Sequence, residues 1–133
     1  MELNQGSCLC GSVQFEVRGP FEHFFLCHCT YCRKDSGSAH AANLFSCEAA
    51  LHWKIGRELV ATFQLPNTRH VKSFCTICGS ALPHVAGSAV VVPAGCLDST
   101  PAIAPQAHLF VDSRAAWDRE LEWIPAFSTV PSA

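Results

Sequence analysis

The chain has few charged residues and no basic cluster. Charged residues make up 15% of its 133 residues, and the formal net charge is −2, with a sequence pI of about 6.3. The lysines and arginines are scattered, and the longest basic run is Arg33-Lys34. Because nucleic-acid binding depends on a basic surface that neutralises phosphates, this composition argues against a nucleic-acid partner.

Long apolar runs and an export signal are also missing. A membrane-spanning helix needs about 20 consecutive apolar residues, whereas the longest apolar run in this chain lies around residues 88–94. Residues 1–11 lack the charged and apolar segments of a secretory signal. We therefore expect a cytoplasmic protein without membrane association.

Disordered arms, low-complexity segments and internal repeats are absent from the sequence as well. Hydrophobic residues make up 49% of the chain, and a chain of this length can bury a core of its own. We expect a single domain over residues 1–133.

What the sequence does contain is many short apolar or alternating segments separated by turn residues. No segment has a strong helical period, and helical turns are expected only over 33–37 and 113–117. This pattern predicts a mainly β fold with little helix. The predicted strands are 12–18, which should be half-buried because apolar and polar residues alternate, and then 39–45, 51–55, 58–65, 70–75, 89–93 and 108–112.

Cysteine is abundant, with nine residues. The odd number and the missing export signal argue against a disulfide framework and favour metal binding by reduced thiols. Two of them, Cys47 and Cys96, stand alone and are expected to be small buried apolar side chains. The other seven form three groups: Cys8 and Cys10; Cys27, Cys29 and Cys32; Cys75 and Cys78.

The two cysteine pairs together predict a structural zinc site with four sulfur ligands. Cys8 and Cys10 are expected to lie in an extended segment, where residues i and i+2 share a face. Cys75 and Cys78 have the spacing of a zinc knuckle, and the glycine that follows, Gly79, tolerates the positive φ of a tight thiolate loop.

The remaining group, Cys27, Cys29 and Cys32, places three thiols within six residues. Structural zinc has four protein ligands, whereas catalytic zinc has three and leaves one position to water or substrate. The triplet therefore predicts a catalytic zinc site. His28 lies between two of the ligands and is an alternative fourth ligand, although its side chain should point away from theirs.

Five segments of the chain, 6–11, 27–33, 74–80, 94–98 and 108–117, are informative together. With them the chain resembles the glutathione-dependent formaldehyde-activating enzymes, a family grouped with the centromere protein V proteins. The resemblance implies a β-tent of short antiparallel sheets and two Zn²⁺ per chain, one structural and one catalytic, divided four and three among the seven clustered cysteines.

The activity that this resemblance implies is that of a carbon-sulfur lyase. Such an enzyme promotes the addition of a thiol, glutathione, to formaldehyde or a related small aldehyde and gives S-hydroxymethylglutathione. The partners would be a small-molecule thiol and an aldehyde, and a homodimer is the default assembly. The alternative is a non-catalytic zinc domain with a binding or scaffold role, because a fold does not determine a function.

Substrate contacts can be assigned from the chemistry of glutathione, which carries two carboxylates. Arg33 and Lys34 directly follow the third thiol of the triplet and are the nearest cations for those carboxylates. Four histidines are candidates for a proton relay: His40, His70, His84 and His108. Three tryptophans are expected in the core or in a groove: Trp53, Trp117 and Trp123.

Overall fold

A computed structural model describes residues 2–131; the first residue and the last two of the predicted domain lie outside this range. The described residues form one α-helix and eleven strands. In chain order these are β1 (Leu3–Ser7), β2 (Gln14–Arg18), β3 (His23–Cys27), α1 (Thr30–Ser36), β4 (Ala41–Ser46), β5 (Ala50–Ile55), β6 (Val60–Gln64), β7 (Val71–Cys75), β8 (Ala81–Leu82), β9 (His84–Ala86), β10 (Ala89–Pro93) and β11 (Ala107–Leu109).

The strands form three small sheets, which confirms the mainly β prediction. One sheet has the order β1-β2-β5, the second β11-β3-β4-β10-β9 and the third β6-β7-β8. All pairings are antiparallel except that of β11, which runs parallel to β3. Short 3₁₀ helices cover Arg57–Leu59, Ala94–Cys96, Val111–Ser113 and Leu121–Trp123.

A single apolar core joins the three sheets. Phe15 comes from the first sheet, Leu44 and Val92 from the second, and Leu82 from the third, and each is at most 1% exposed. Burying side chains of this size stabilises a fold by about 1.5–3 kcal/mol each. The core therefore fixes the three sheets relative to one another.

Strand β2 is more buried than the alternating pattern predicts. Phe15, Glu16 and Val17 are all buried, because β2 is the central strand of its sheet. Two cations compensate the buried negative charge of Glu16. Nε of Arg18 donates to its Oε1 at 2.8 Å, and Nζ of Lys54 lies 3.9 Å from its Oε2.

The helical predictions need correction in their positions. Helix α1 begins at Thr30 rather than at residue 33, so that it includes Cys32. The predicted strand 108–112 ends at Leu109, because Phe110 adopts a left-handed conformation with φ of 55°. The 3₁₀ helix in this region covers Val111–Ser113 and ends where the expected turn at 113–117 begins; the turn itself lies at 115–118, where the Asp118 N–H donates to the Ala115 carbonyl at 3.1 Å.

We expect Gly56→Ala to destabilise the domain more than Gly87→Ala. Both glycines have positive φ, which costs any other residue about 1–2 kcal/mol. A Cβ on Gly56 would also lie 2.1 Å from the Ser12 carbonyl oxygen, whereas Gly87 faces open space. The backbone shift should cost about 1–3 kcal/mol more. Equal free energies of unfolding for the two variants in urea would contradict this.

Candidate active site

The two cysteine pairs come together in one cluster. The Sγ atoms of Cys8, Cys10, Cys75 and Cys78 lie within 4.8 Å of one another, and those of Cys8 and Cys10 are 3.6 Å apart. Tetrahedral zinc with Zn–S bonds of about 2.3 Å separates its sulfurs by about 3.8 Å. The four-sulfur cluster therefore fits such an ion.

Cys8 and Cys10 reach the cluster through a turn and not through the extended segment that the spacing predicts. Gly11 has φ of 80°, and its N–H donates to the Cys8 carbonyl at 3.1 Å. The N–H of Val13 donates to Cys8 Sγ at 3.2 Å. The chain thus folds around the two sulfurs, so that they face the same point.

Cys75 and Cys78 form the other half of the cluster at the end of β7. Gly79 has φ of 76°, as a thiolate loop requires, and its N–H donates to the Cys75 carbonyl at 2.7 Å. The Ser80 hydroxyl lies 3.3 Å from Cys78 Sγ. Hydrogen bonds from Ser80 lower the pKa of Cys78 to about 5, which favours the thiolate that metals bind.

The second cluster consists of Cys27, Cys29 and Cys32, with Sγ atoms within 4.8 Å of one another. Cys27 is the last residue of β3, Cys29 is the N-cap of α1, and Cys32 lies in its first turn. The N–H of Cys32 donates to Cys29 Sγ at 3.3 Å. Within residues 2–131, no fourth cysteine, histidine or carboxylate joins this group.

The three thiols differ in how readily they ionise. Burial raises the pKa of Cys27 and that of Cys32. Burial also opposes ionisation of Cys29, but hydrogen bonds from the backbone and thiol of Cys32 lower its pKa overall. All three sulfurs would be thiolates at the same time only if a cation were bound beside them, since metals bind the thiolate form.

His28 points away from the thiols and into a polar network. Its Nε2 lies 2.8 Å from Nδ1 of His108, and its Nδ1 lies 3.3 Å from Oδ2 of Asp118. Burial and the neighbouring His40 lower the pKa of His28. A hydrogen bond from Arg114 lowers the pKa of Asp118. The network fastens the C-terminal segment to the loop that carries the three thiols.

A cleft of about 420 Å³ opens beside the three-sulfur cluster. Cys32 lines it, and so do His40, His70 and His84, three of the four histidines that the sequence suggested for a proton relay. The fourth, His108, belongs to the network around His28. The cleft thus brings one thiol of the cluster together with several imidazoles.

Arg33 and Lys34 are not among the described residues that line this cleft. Nη1 of Arg33 donates to the Ser113 carbonyl at 3.0 Å, and Lys34 is exposed. The cation in the cleft is Lys72, which sequence reasoning missed. A signal for it existed, because period two in strand 70–75 places residues 70 and 72 on the same face.

A second cleft, of about 460 Å³, adjoins the first and is largely apolar. Tyr31, Phe63 and Leu65 line it, and it shares three residues with the first cleft. The shared residues are Asp35, His70 and Lys72. The two clefts therefore meet at this polar group.

Several isolated residues differ from their predicted surroundings. Cys47 is exposed rather than buried, and Cys96 is half-buried against the core. Trp53 packs edge-on against Phe15, but Trp117 and Trp123 are 63% and 78% exposed. They follow β11 in the chain and lie outside the strands.

The fold and the two clusters define a class of protein: a mainly β domain with one closed four-sulfur site and one three-sulfur site that opens to a cleft. Residues 3–113 match the model of the family described as "Glutathione-dependent formaldehyde-activating enzyme". The chain belongs to this family, as the resemblance in its sequence predicted.

A curated relative and a solved structure are similar to the chain. A Halomonas elongata protein named "Putative glutathione-dependent formaldehyde-activating enzyme" is 36% identical over 88 residues, which cover 60% of the chain and 54% of the relative. The chain thus spans about half the length of that relative. A crystal structure of a Rhodobacter sphaeroides protein shares the fold, with a TM-score of 0.53 at 23% identity over 79% of this chain and 98% of that one.

The structure also bears on membrane association. Between residues 2 and 131, no helix combines the length and the apolar character needed to cross a bilayer.

Proposed function

We propose that this protein promotes the addition of glutathione to formaldehyde or a related small aldehyde, giving S-hydroxymethylglutathione, as a carbon-sulfur lyase. The observation that carries the proposal is the three-sulfur cluster, which has no fourth protein ligand within the described residues and whose buried Cys32 forms part of the lining of a cleft of about 420 Å³. Membership of the glutathione-dependent formaldehyde-activating family supports it.

Two Zn²⁺ per chain are part of this proposal. Cys8, Cys10, Cys75 and Cys78 would hold a structural ion, and the triplet Cys27, Cys29 and Cys32 a catalytic one; the donor sets of four and three sulfurs fit those roles. When bound at the triplet, zinc supplies positive charge that stabilises a thiolate at neutral pH.

The residues of the chain then have to hold two reactants together. Confining thiol and aldehyde in one cleft turns a bimolecular step into an effectively unimolecular one. Lys72 lines the cleft and offers a cation for a carboxylate of glutathione. Arg33 and Lys34 stay proposed contacts for the second carboxylate, because they directly follow the third thiol within α1.

The apolar cleft beside the site favours a second candidate within the same chemistry. Its lining by Tyr31, Phe63 and Leu65 would suit an aldehyde or a thiol with an apolar group. Comparing formaldehyde with butyraldehyde at equal glutathione concentration separates the two candidates: a larger enzymatic acceleration with butyraldehyde would favour this one.

The same proposal includes the setting in which the protein acts. We expect one domain over 1–133, a cytoplasmic location, a homodimer and no nucleic-acid partner. The net charge of −2 supports the last point. Salt-sensitive DNA binding at physiological ionic strength would contradict it.

The test is the rate at which glutathione, formaldehyde and their adduct exchange, measured by NMR with zinc-loaded protein. We expect the protein to accelerate exchange above the spontaneous reaction, and Cys29→Ser to abolish the acceleration because it removes one of three ligands. Cys47→Ser is the matched control, since Cys47 is exposed and outside both clusters. No acceleration by protein with both sites loaded would favour the non-catalytic binding domain.

A further inference from the structure

The two clefts meet at a carboxylate and an imidazole that are joined by a hydrogen bond. Nε2 of His70 lies 2.7 Å from Oδ2 of Asp35. His70 immediately precedes β7 and Asp35 lies in α1, 35 residues away in sequence. Both side chains are about one-fifth exposed, so the pair is sheltered yet open to the clefts.

Other residues fix both members of this pair. Nζ of Lys72 donates to the Asp35 carbonyl at 2.8 Å and lies 3.0 Å from its Oδ1, so the aspartate has little freedom to turn. The backbone N–H of His70 donates to the Thr68 hydroxyl at 3.1 Å. The ring of Tyr31 lies 5.8 Å from the imidazole. The imidazole is therefore held in one orientation.

One nitrogen of His70 remains available. Nε2 is engaged by Asp35, whereas Nδ1 has no hydrogen-bond partner among residues 2–131 and is not shut off from solvent. A carboxylate that binds one ring nitrogen leaves the other to exchange protons with a reactant. Cys32 and His70 line the same cleft, so a single reactant bound in that cleft can reach both.

We propose that His70, oriented by Asp35, is the proton carrier of the reaction, an inference that rests on the proposed function. Nδ1 accepts the proton of the thiol while the sulfur electron pair forms a bond to the carbonyl carbon. The π electrons of the C=O bond move to oxygen, and Nδ1 returns the proton to that oxygen. One S–H bond and one π bond are lost, one S–C and one O–H bond are gained, and His70 ends neutral.

The other groups around His70 are less suited to this task. The other charged and titratable residues that line the two clefts with it are Tyr31, Cys32, Lys34 and Asp35 from α1, His40 just before β4, Lys72 from β7 and His84 from β9. His84 makes no hydrogen bond to a carboxylate among the described residues, and burial lowers its pKa. His40, which also lines the cleft, has a buried Nδ1 without a partner. Among the described histidines that line this cleft, His70 alone combines an orienting carboxylate with an open nitrogen.

The experiment measures the NMR exchange rate against pH for zinc-loaded wild type, His70→Gln, His84→Gln, Asp35→Asn and His52→Gln, and for His70→Ala with and without added imidazole. His52 is an exposed histidine of β5, lines none of the described clefts and serves as the control. Because general acid–base catalysis contributes about 10²–10⁴-fold, we expect kcat to fall at least about 100-fold in His70→Gln. The wild-type rate should fall towards acidic pH, and this pH dependence should be absent from His70→Gln. Asp35→Asn should lose less, zinc content should stay the same in both variants, and glutathione affinity should stay the same in His70→Gln.

Each outcome has a distinct meaning. Wild-type rate and pH profile in His70→Gln would overturn the role of His70 while leaving the proposed function intact. If the fall in rate towards acidic pH disappeared in His84→Gln and not in His70→Gln, the role of His70 would also be overturned. Recovery of His70→Ala by added imidazole would support the role, because a structural defect would not respond. Absence of any acceleration by wild type would overturn the proposed function, and this inference with it.

Discussion

Cys75→Ser should unfold the domain or bring it close to unfolding. Cys75 is fully buried and contributes one of four sulfurs that join the turn after β1 to the end of β7. Structural zinc contributes about 10–16 kcal/mol of apparent binding free energy, whereas a whole domain is stable by about 5–15 kcal/mol. Losing a large part of the zinc-binding free energy would therefore remove most or all of the stability of the fold.

Circular dichroism and thermal unfolding of the purified variant test this prediction, together with its zinc content. Cys47→Ser is the matched control and should keep the wild-type melting temperature, because its thiol is exposed and far from either cluster in sequence. A Cys75→Ser protein that melts with wild type would show that the four-sulfur cluster does not stabilise the fold. It would also remove the structural zinc from the proposal.

Mild chelation should abolish the acceleration completely while the fold survives. The site formed by Cys27, Cys29 and Cys32 has three protein ligands and opens to a cleft, whereas the other has four, two of them buried. A chelator can enter the open position, so this site should release its metal first. The exchange rate should then fall to that of the spontaneous reaction.

The measurement follows metal release with a coloured chelator and records the far-ultraviolet spectrum and the exchange rate in parallel. We expect two phases, with all activity lost in the first and structure lost only in the second. Cys29→Ser should show a diminished first phase and an unchanged second one. Release of all metal in a single phase, together with the structure, would contradict the distinction between a structural and a catalytic site.

The sequence predicted the composition of the two clusters because their members come in local pairs or triplets. Spacing within a few residues fixes which sulfurs are close, and the structure brings together the predicted sets. The conformation was harder to predict: Cys8 and Cys10 meet through a turn that Gly11 closes. A C-x-C spacing fits an extended segment as well as a turn. The spacing alone therefore could not predict which of the two conformations the backbone adopts.

The polar group in the cleft could not be assembled from the sequence. Asp35 lies at the end of α1, and His70 and Lys72 lie at β7, and only the packing of helix against sheet brings them together. Each residue alone resembles a solvated surface side chain. The exposure of Trp117 and Trp123 could not be predicted either, because the sequence gives their apolar character but not how much of each side chain other residues cover.

The short parallel pairing of β11 with β3 has a consequence for the order in which a nascent chain becomes functional. Cys78 completes the four-sulfur set, so that set is synthesised before the last third of the chain leaves the ribosome. The loop of the three thiols, by contrast, is held by the Leu109 carbonyl, which accepts from His28 N–H, and by His108, 80 residues later. The four-sulfur cluster can therefore form during translation before the residues that brace the three-sulfur cluster have been synthesised.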